Sequence, residues 1–209
     1  MIRKAVLRKW VQMHIWPHFR DFHMYERLDL VRICRPLLHG IVFEQSQWDD
    51  DFYVTCFVYF LTDRDDCFGI GFGERMPRYD VTGETYRVEP AEEEAAKLLD
   101  AMRQSPYSPF NLRPTCLNAI ALADNEERGA HSYFGLGTCA IFENDPGLAR
   151  HFFSRAKEAI GTPEYDWDTK LLGEILELEG TLDDLAATQL KLHRWVEETI
   201  RLLGMEKFG

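Results

Sequence analysis

The chain has 209 residues, 45% hydrophobic and 28% charged, with a formal net charge of −11. That composition belongs to a globular chain rather than a disordered one. The acidity argues against nucleic acid as a partner, because phosphate-backbone binders need a basic surface, and no apolar run reaches the roughly 18 residues of a membrane span.

The segment Met1-Ile2-Arg3-Lys4 begins with charge, as a secretory leader does, but no apolar stretch or small-residue cleavage site follows. The segment through Trp10 therefore reads as a first helix, and the protein as cytoplasmic. Three histidines come next, His14, His18 and His23. His14 and His18 have the i,i+4 spacing that places two metal ligands on one helical face. Pro17 disfavours helix at the residue before it, and no Glu follows His14, so the three stand as weak metal candidates beside a role as surface or capping residues.

Strands are expected next. Leu28–Ile33, Leu38–Gln47, Phe52–Thr62 and Cys67–Gly73 are rich in β-branched and aromatic residues. The short acidic linkers Asp49-Asp50-Asp51 and Asp63-Arg64-Asp65-Asp66 are turn chemistry. Strands joined this tightly pair antiparallel, which predicts a meander of three or four strands centred on Phe52–Thr62, with Tyr53, Cys56 or Phe57, Tyr59 and Leu61 as the residues to bury. The acidic turns would sit at opposite ends of that strand, roughly 30 Å apart at the usual rise per residue, too far to share one cation. Neither alone has the ligand spacing and glycine of a calcium loop. Asp49, Asp50, Asp51, Asp63, Asp65 and Asp66 are instead candidates for contact with a partner. In Gly69-Ile70-Gly71-Phe72-Gly73 the third glycine falls one residue too early for a phosphate-binding G-x-G-x-x-G. As a strand it would show a bare glycine face, inviting close approach of a helix or partner.

The period changes at Pro90. Pro90 suits a helix start, Glu92 to Glu94 suit the positive end of the dipole, and Ala91, Ala95, Leu98, Leu99 and Met102 recur at helical spacing with Glu93 and Lys97 as an i,i+4 pair. After Pro106, Pro109 and Pro114 comes a helix carrying Leu117, Ile120 and Ala121, then helices over His131–Phe142 and Pro146–Ile160. A last long helix begins at Thr181, with Asp184 three residues on, the stripe Leu182, Leu185, Gln189, Leu192, Val196, Ile200 and Leu203, and Gly204 at the C′ position. Strands first and helices after predict a single α+β domain over 1–209, an N-terminal antiparallel meander packed with a C-terminal helical half on one face or end of the sheet. Any internal boundary would fall near residues 80–90.

Tyr133, Leu136, Gly137, Ala149, Phe153 and Ala156 reproduce the spacing of one tetratricopeptide repeat. Gly137 would let two helices approach, Ala149 and Ala156 would be the small residues opposite, Phe153 would fill the gap, and Asp145-Pro146 would cap the second helix. No second copy follows at a period of about 34 residues, so a lone helical hairpin is expected rather than an array. The five cysteines, Cys34, Cys56, Cys67, Cys116 and Cys139, are odd in number and never in C-x-x-C spacing, and read as reduced thiols. Phosphate-loop, nucleophile-elbow and H-E-x-x-H signatures are absent, and no cofactor is expected.

The order of features, Leu7 and Trp10, then Val42-Phe43-Glu44-Gln45-Ser46, the Phe52–Leu61 strand, and the helical half with Tyr133, Leu136-Gly137 and Ala149, resembles small bacterial α+β domains of unknown function that include candidate immunity proteins of toxin systems. The resemblance implies a cytoplasmic, cofactor-free protein that neutralises a partner, and it carries no residue-level site. The expectation is a non-catalytic protein-binding module whose partner is a basic protein. The alternative is an enzyme with a non-local His/carboxylate site of unknown reaction, using His131, His151 or the N-terminal histidines; its catalytic residues are unknown.

Overall fold

The computed structural model describes residues 3–26, 28–47, 49–66, 69–70, 72–78, 85–123 and 128–208. Met1, Ile2, Cys67, Phe68, Gly71 and residues 80–84 of the expected boundary lie outside them. The chain is α+β. After helix α1 (Lys4–Trp10), which runs on through a π turn at Val11–Ile15, come β1 (His23–Tyr25), β2 (Asp29–Cys34), β3 (Leu37–Gln45), β4 (Asp51–Phe60), β5 (Gly73–Arg75) and β6 (Thr85–Arg87). Six helices follow: α2 (Ala91–Gln104), α3 (Cys116–Ala123), α4 (Ala130–Phe142), α5 (Pro146–Ile160), α6 (Asp166–Glu179) and α7 (Leu185–Leu202). Among the described residues no helix is long and apolar enough to cross a membrane.

The sheet is antiparallel throughout, in the order β1-β2-β3-β4, with β5 and β6 sharing the far edge of β4. β3 pairs with β4 along its full length, from Leu37 opposite Phe60 to Gln45 opposite Phe52. The central strand therefore lies where its composition places it. The fourth expected strand does not. Among the described residues of Cys67–Gly73, β5 starts only at Gly73, and just before it the Phe72 carbonyl accepts from the Val58 N–H at 2.9 Å. Of the glycines expected on one face, Gly71 lies outside the described residues; a Cβ on Gly73 would meet the Cys56 carbonyl oxygen at 2.6 Å, whereas one on Gly69 would meet nothing within 4 Å. The strands β1 and β6 were too short to leave a period-2 signal.

Both faces of the sheet are covered, which corrects the expectation of helices on one face or end. Phe52, Val54, Cys56, Val58 and Phe60 of β4 point into the larger apolar cluster, shared with α1, α2, α4, α5 and α6. Phe57, Tyr59 and Leu61 point into a second cluster, closed by Val196 and Ile200 of α7 and by Leu203 just past it. Leu182 and Leu192, earlier in the expected stripe, and Trp195 beside it belong to the first cluster, so α7 passes from the helical layer to the opposite face. Burial on both faces explains why β4 reads as a near-continuous apolar run rather than an alternation. Tyr53, expected in the core, is only partly buried, with the Arg75 guanidinium over its ring.

The helical hairpin is present as its residues predict. The Asp145 side chain accepts from the Leu148 backbone N–H at 2.8 Å, and Pro146 takes the first turn of α5. α4 is buried along nearly its whole length. Its Gly135 lies against Phe60 of the sheet and its Gly137 against Phe153 of α5, and a Cβ at either would fall about 2 Å from a ring carbon. Two helical corrections remain. In α3, Cys116, Ala119 and Ala123 are buried while Leu117 is exposed, and α7 is capped not by Thr181 but by Asp184, which accepts from the Ala187 N–H at 3.1 Å. Gly204 has φ +63° just past α7, as expected of a C′ glycine.

Candidate functional site

One place in the molecule gathers ionisable groups from four elements. β4 ends in a turn in which the Asp63 N–H donates to the Phe60 carbonyl at 3.1 Å, and the chain then runs through Asp63-Arg64-Asp65 between α4, α6 and α7. Arg64 has φ +55°, a left-handed conformation that is costly for a residue with a long side chain and is held only where its surroundings over-determine it. Those surroundings are visible. Its guanidinium lies 3.2 Å from Glu198 and 3.5 Å from Glu174, and 4.9 Å from the centre of the Trp195 ring. Its carbonyl accepts from the Lys170 ammonium at 3.3 Å.

The two acids flanking Arg64 converge on the start of α4. Asp63, with 8% of its surface exposed, contacts Nδ1 of His131 through Oδ1 at 3.0 Å, and Asp65 accepts from Lys170 at 2.8 Å. Among the described residues, Asp63, Asp65 and His131 are the one group of three potential metal donors whose ligand atoms all lie within 4.8 Å of one another. Burial pushes the Asp63 carboxyl up, while the hydrogen bond and charge of His131 pull it down; the same hydrogen bond raises His131. Glu174, one turn along α6 from Lys170, is pushed up to about 7 by burial against the opposing pull of Lys170 and Arg64. It is poised to change charge in the neutral range.

An aromatic pair continues this surface. Tyr165 and Trp167, 53% and 58% exposed, stack at 4.3 Å between ring centres with planes 10° apart. Trp167, Lys170 and Glu174 fall at i, i+3 and i+7 on α6, so the tryptophan stands one turn from the ion cluster. Glu164, Asp166 and Asp168 flank the pair along the chain.

The remaining acidic candidates stand apart. Asp49 and Asp50 are exposed in the β3–β4 turn, where the Asp49 N–H donates to Ser46. Asp51 is committed to the sheet edge through Arg87 at 2.9 Å and the Thr85 hydroxyl at 3.2 Å. The two acidic turns sit at opposite ends of β4. The N-terminal histidines do not meet. His14 packs beside Trp10 in the π turn, His18 is exposed in a 3-10 turn, and His23 lies in β1 stacked on Phe208 at 4.8 Å. His151 is exposed on α5 against Phe152.

Lys170 and Glu174 escaped the sequence reading because α6 did. Leu171, Ile175 and Leu178 carry its helical spacing, but Gly161-Thr162-Pro163 before it and Gly173 within it are breaker signals. Elsewhere a cavity of about 430 Å³ lies against α7 and includes Leu190, His193 and Glu198, and one of about 560 Å³ is lined by Asp21, Arg32, Cys34 and Arg113. In the second, Arg32 forms an ion pair with Asp21 and holds its carboxyl down against burial, while burial raises the Cys34 thiol. A thiol raised in this way is a poor nucleophile. Comparison with protein-family models, with curated proteins and with solved structures finds no match to this chain.

Proposed function

We propose that the chain is a non-catalytic protein-binding module, of the immunity-protein kind that neutralises a partner toxin. It would engage a basic partner through the acidic rim around Tyr165 and Trp167. The observation that carries this reading is the stacked, solvent-exposed Tyr165–Trp167 pair. Large aromatic side chains in water are costly to display, and Trp and Tyr dominate the energetics of protein interfaces. The flanking carboxylates and the net charge of −11 give the surface a sign that steers and selects a positive partner. Rigid stacking on the first turn of α6 lowers the ordering cost of association.

The test is affinity capture from the source organism's lysate with the full chain as bait, alongside the double variant Tyr165→Ala, Trp167→Ala. The wild type should retain a basic protein that the double variant releases. Equal retention by both, or retention by neither, would refute the assignment.

A second reading rests on the Asp63–His131 pair. A buried carboxylate holding Nδ1 of a half-exposed imidazole leaves Nε2 as the working nitrogen of a general acid or base. The binding role is preferred because the stacked Tyr165–Trp167 pair faces solvent. Loss of a hydrolytic activity in His131→Ala, against a panel of ester and phosphate substrates, would reverse the preference.

A further inference from the structure

We propose that Asp63, Asp65 and His131 form a binding site for a divalent first-row transition cation such as Zn²⁺, with Lys170 the group it displaces. The inference goes beyond the protein-binding reading and does not depend on it.

Two independent observations support it. The first is spacing. Asp63 Oδ1 and His131 Nδ1 are 3.0 Å apart, and all three donor atoms lie within 4.8 Å of one another. Two ligands about 2.0–2.1 Å from one metal at roughly a right angle stand about 3 Å apart, so the pair needs little movement and the Asp65 carboxylate only a small one. The second is the state of Asp63. Its side chain is 10% exposed and its Oδ1 is fixed on His131 at 3.0 Å, so one carboxylate donor is already held in place inside the cluster. Donors held in position before the ion arrives are what a metal site requires.

The donor set selects the class of ion. One imidazole nitrogen with two carboxylate oxygens suits zinc or manganese, whereas calcium and magnesium favour all-oxygen shells. Three protein donors leave a position for water, the open arrangement of a reactive rather than a sealed site. Without metal, the Lys170 ammonium supplies the positive charge at Asp65 from a flexible stem whose end is half exposed. It can swing into solvent when a cation arrives. Arg64 and Glu174 brace the loop from the other side.

The experiment is calorimetric titration of the full chain with Zn²⁺ and Mn²⁺, with Mg²⁺ and Ca²⁺ as controls and circular dichroism to verify each variant's fold. The wild type should bind one equivalent of Zn²⁺, Mn²⁺ more weakly and the controls far more weakly. His131→Ala and Asp65→Asn should each weaken binding by about tenfold or more, the scale on which lost metal-site interactions act. Lys170→Met, which removes the competing ammonium, should tighten it. If His131→Ala does not fold, Asp65→Asn carries the test, because that residue is only partly buried. With Co²⁺, weak d–d bands without thiolate charge transfer should appear, setting the site apart from Cys34. Absence of saturable Zn²⁺ binding, binding undiminished in both ligand variants, or weakened binding in Lys170→Met overturns the proposal.

Discussion

The ring of Phe153 occupies the space a Cβ on Gly137 would need: Cε1 lies 2.3 Å and Cδ1 2.5 Å from that position. Helices α4 and α5 pack as closely as they do because residue 137 has no side chain. Gly137→Ala should therefore overpack the hairpin and cost about 1–3 kcal/mol. Gly173 on α6 is the matched control, since its Cβ would meet nothing within 4 Å. There the same change should stabilise by about 0.5–1 kcal/mol through helix propensity. Urea denaturation of the two variants measures both signs. A Gly137→Ala protein as stable as Gly173→Ala would mean that the close approach is not needed.

His39 predicts an acid limb in the stability curve. Its Nε2 lies 2.8 Å from the Tyr107 carbonyl and its Nδ1 3.3 Å from the Arg32 guanidinium. A carbonyl only accepts and a guanidinium only donates, so the ring is the neutral tautomer with its proton on Nε2. Burial first, with the nearby Arg32 charge, lowers its pKa to about 4, against the Tyr107 hydrogen bond, which raises it. The unfolded chain takes up this proton near pH 6.5, the ordinary value. Stability from this residue is thus complete above that pH and is lost as pH falls from about 6.5 to about 4, on the order of 3 kcal/mol in all. His39→Gln, which can keep one donor and one acceptor, should flatten that limb. Urea midpoints across this interval report the slope directly.

Glu94 is a buried charge with a structural task. Its carboxylate accepts from Arg78 at 2.9 Å, the Arg87 N–H at 3.0 Å and Lys97 at 3.2 Å, which pins the 85–87 strand to the first turn of α2. Glu94→Ala removes the acceptor from three donors at once and should cost about 3 kcal/mol or more. Glu93, which bonds the same Lys97 from an exposed position at 2.7 Å, should cost less than about 0.5 kcal/mol when changed to Ala. Comparing the two melting temperatures separates the buried pair from its surface neighbour.

How far the residues alone reveal this molecule depends on the range of each interaction. The β3–β4 pairing, the α4–α5 hairpin and the Gly204 terminus follow from signals within a dozen residues: apolar composition around an acidic turn, small residues at helical spacing, a glycine after a stripe. The coverage of both sheet faces does not, because the apolar run of β4 is equally compatible with one buried face and aromatic residues on the other. The candidate site was half legible. Asp63, Asp65 and Asp66 stand out as a turn, and His131 as a helix start. Their meeting spans 68 positions in the chain for Asp63 and His131, and 105 for Asp65 and Lys170, and depends on which face of the sheet α4 and α6 cover. No local pattern encodes that. Glu94 shows the same limit: it sits among three consecutive glutamates that read alike as dipole-compensating surface charge, yet it alone is buried.

Trp167 offers the cleanest separation of stability from recognition. More than half of its surface faces water, and its ring stacks on the similarly exposed Tyr165 ring. Trp167→Ala forfeits a stacking energy of roughly 0.5–1.5 kcal/mol at most, part of which solvation of the freed ring returns, so the melting temperature should move by only a few degrees. Arg64→Ala, in contrast, strips the compensating charge from Glu174 and removes the guanidinium from the Trp195 ring, and should destabilise by more than the tryptophan change. If the aromatic pair is the contact surface, Trp167→Ala abolishes partner capture while leaving the fold intact, and Arg64→Ala weakens both together. A Trp167→Ala protein that unfolds as readily as Arg64→Ala would mean that the stack is part of the core's support, and the case for a recognition surface on α6 would fall with it.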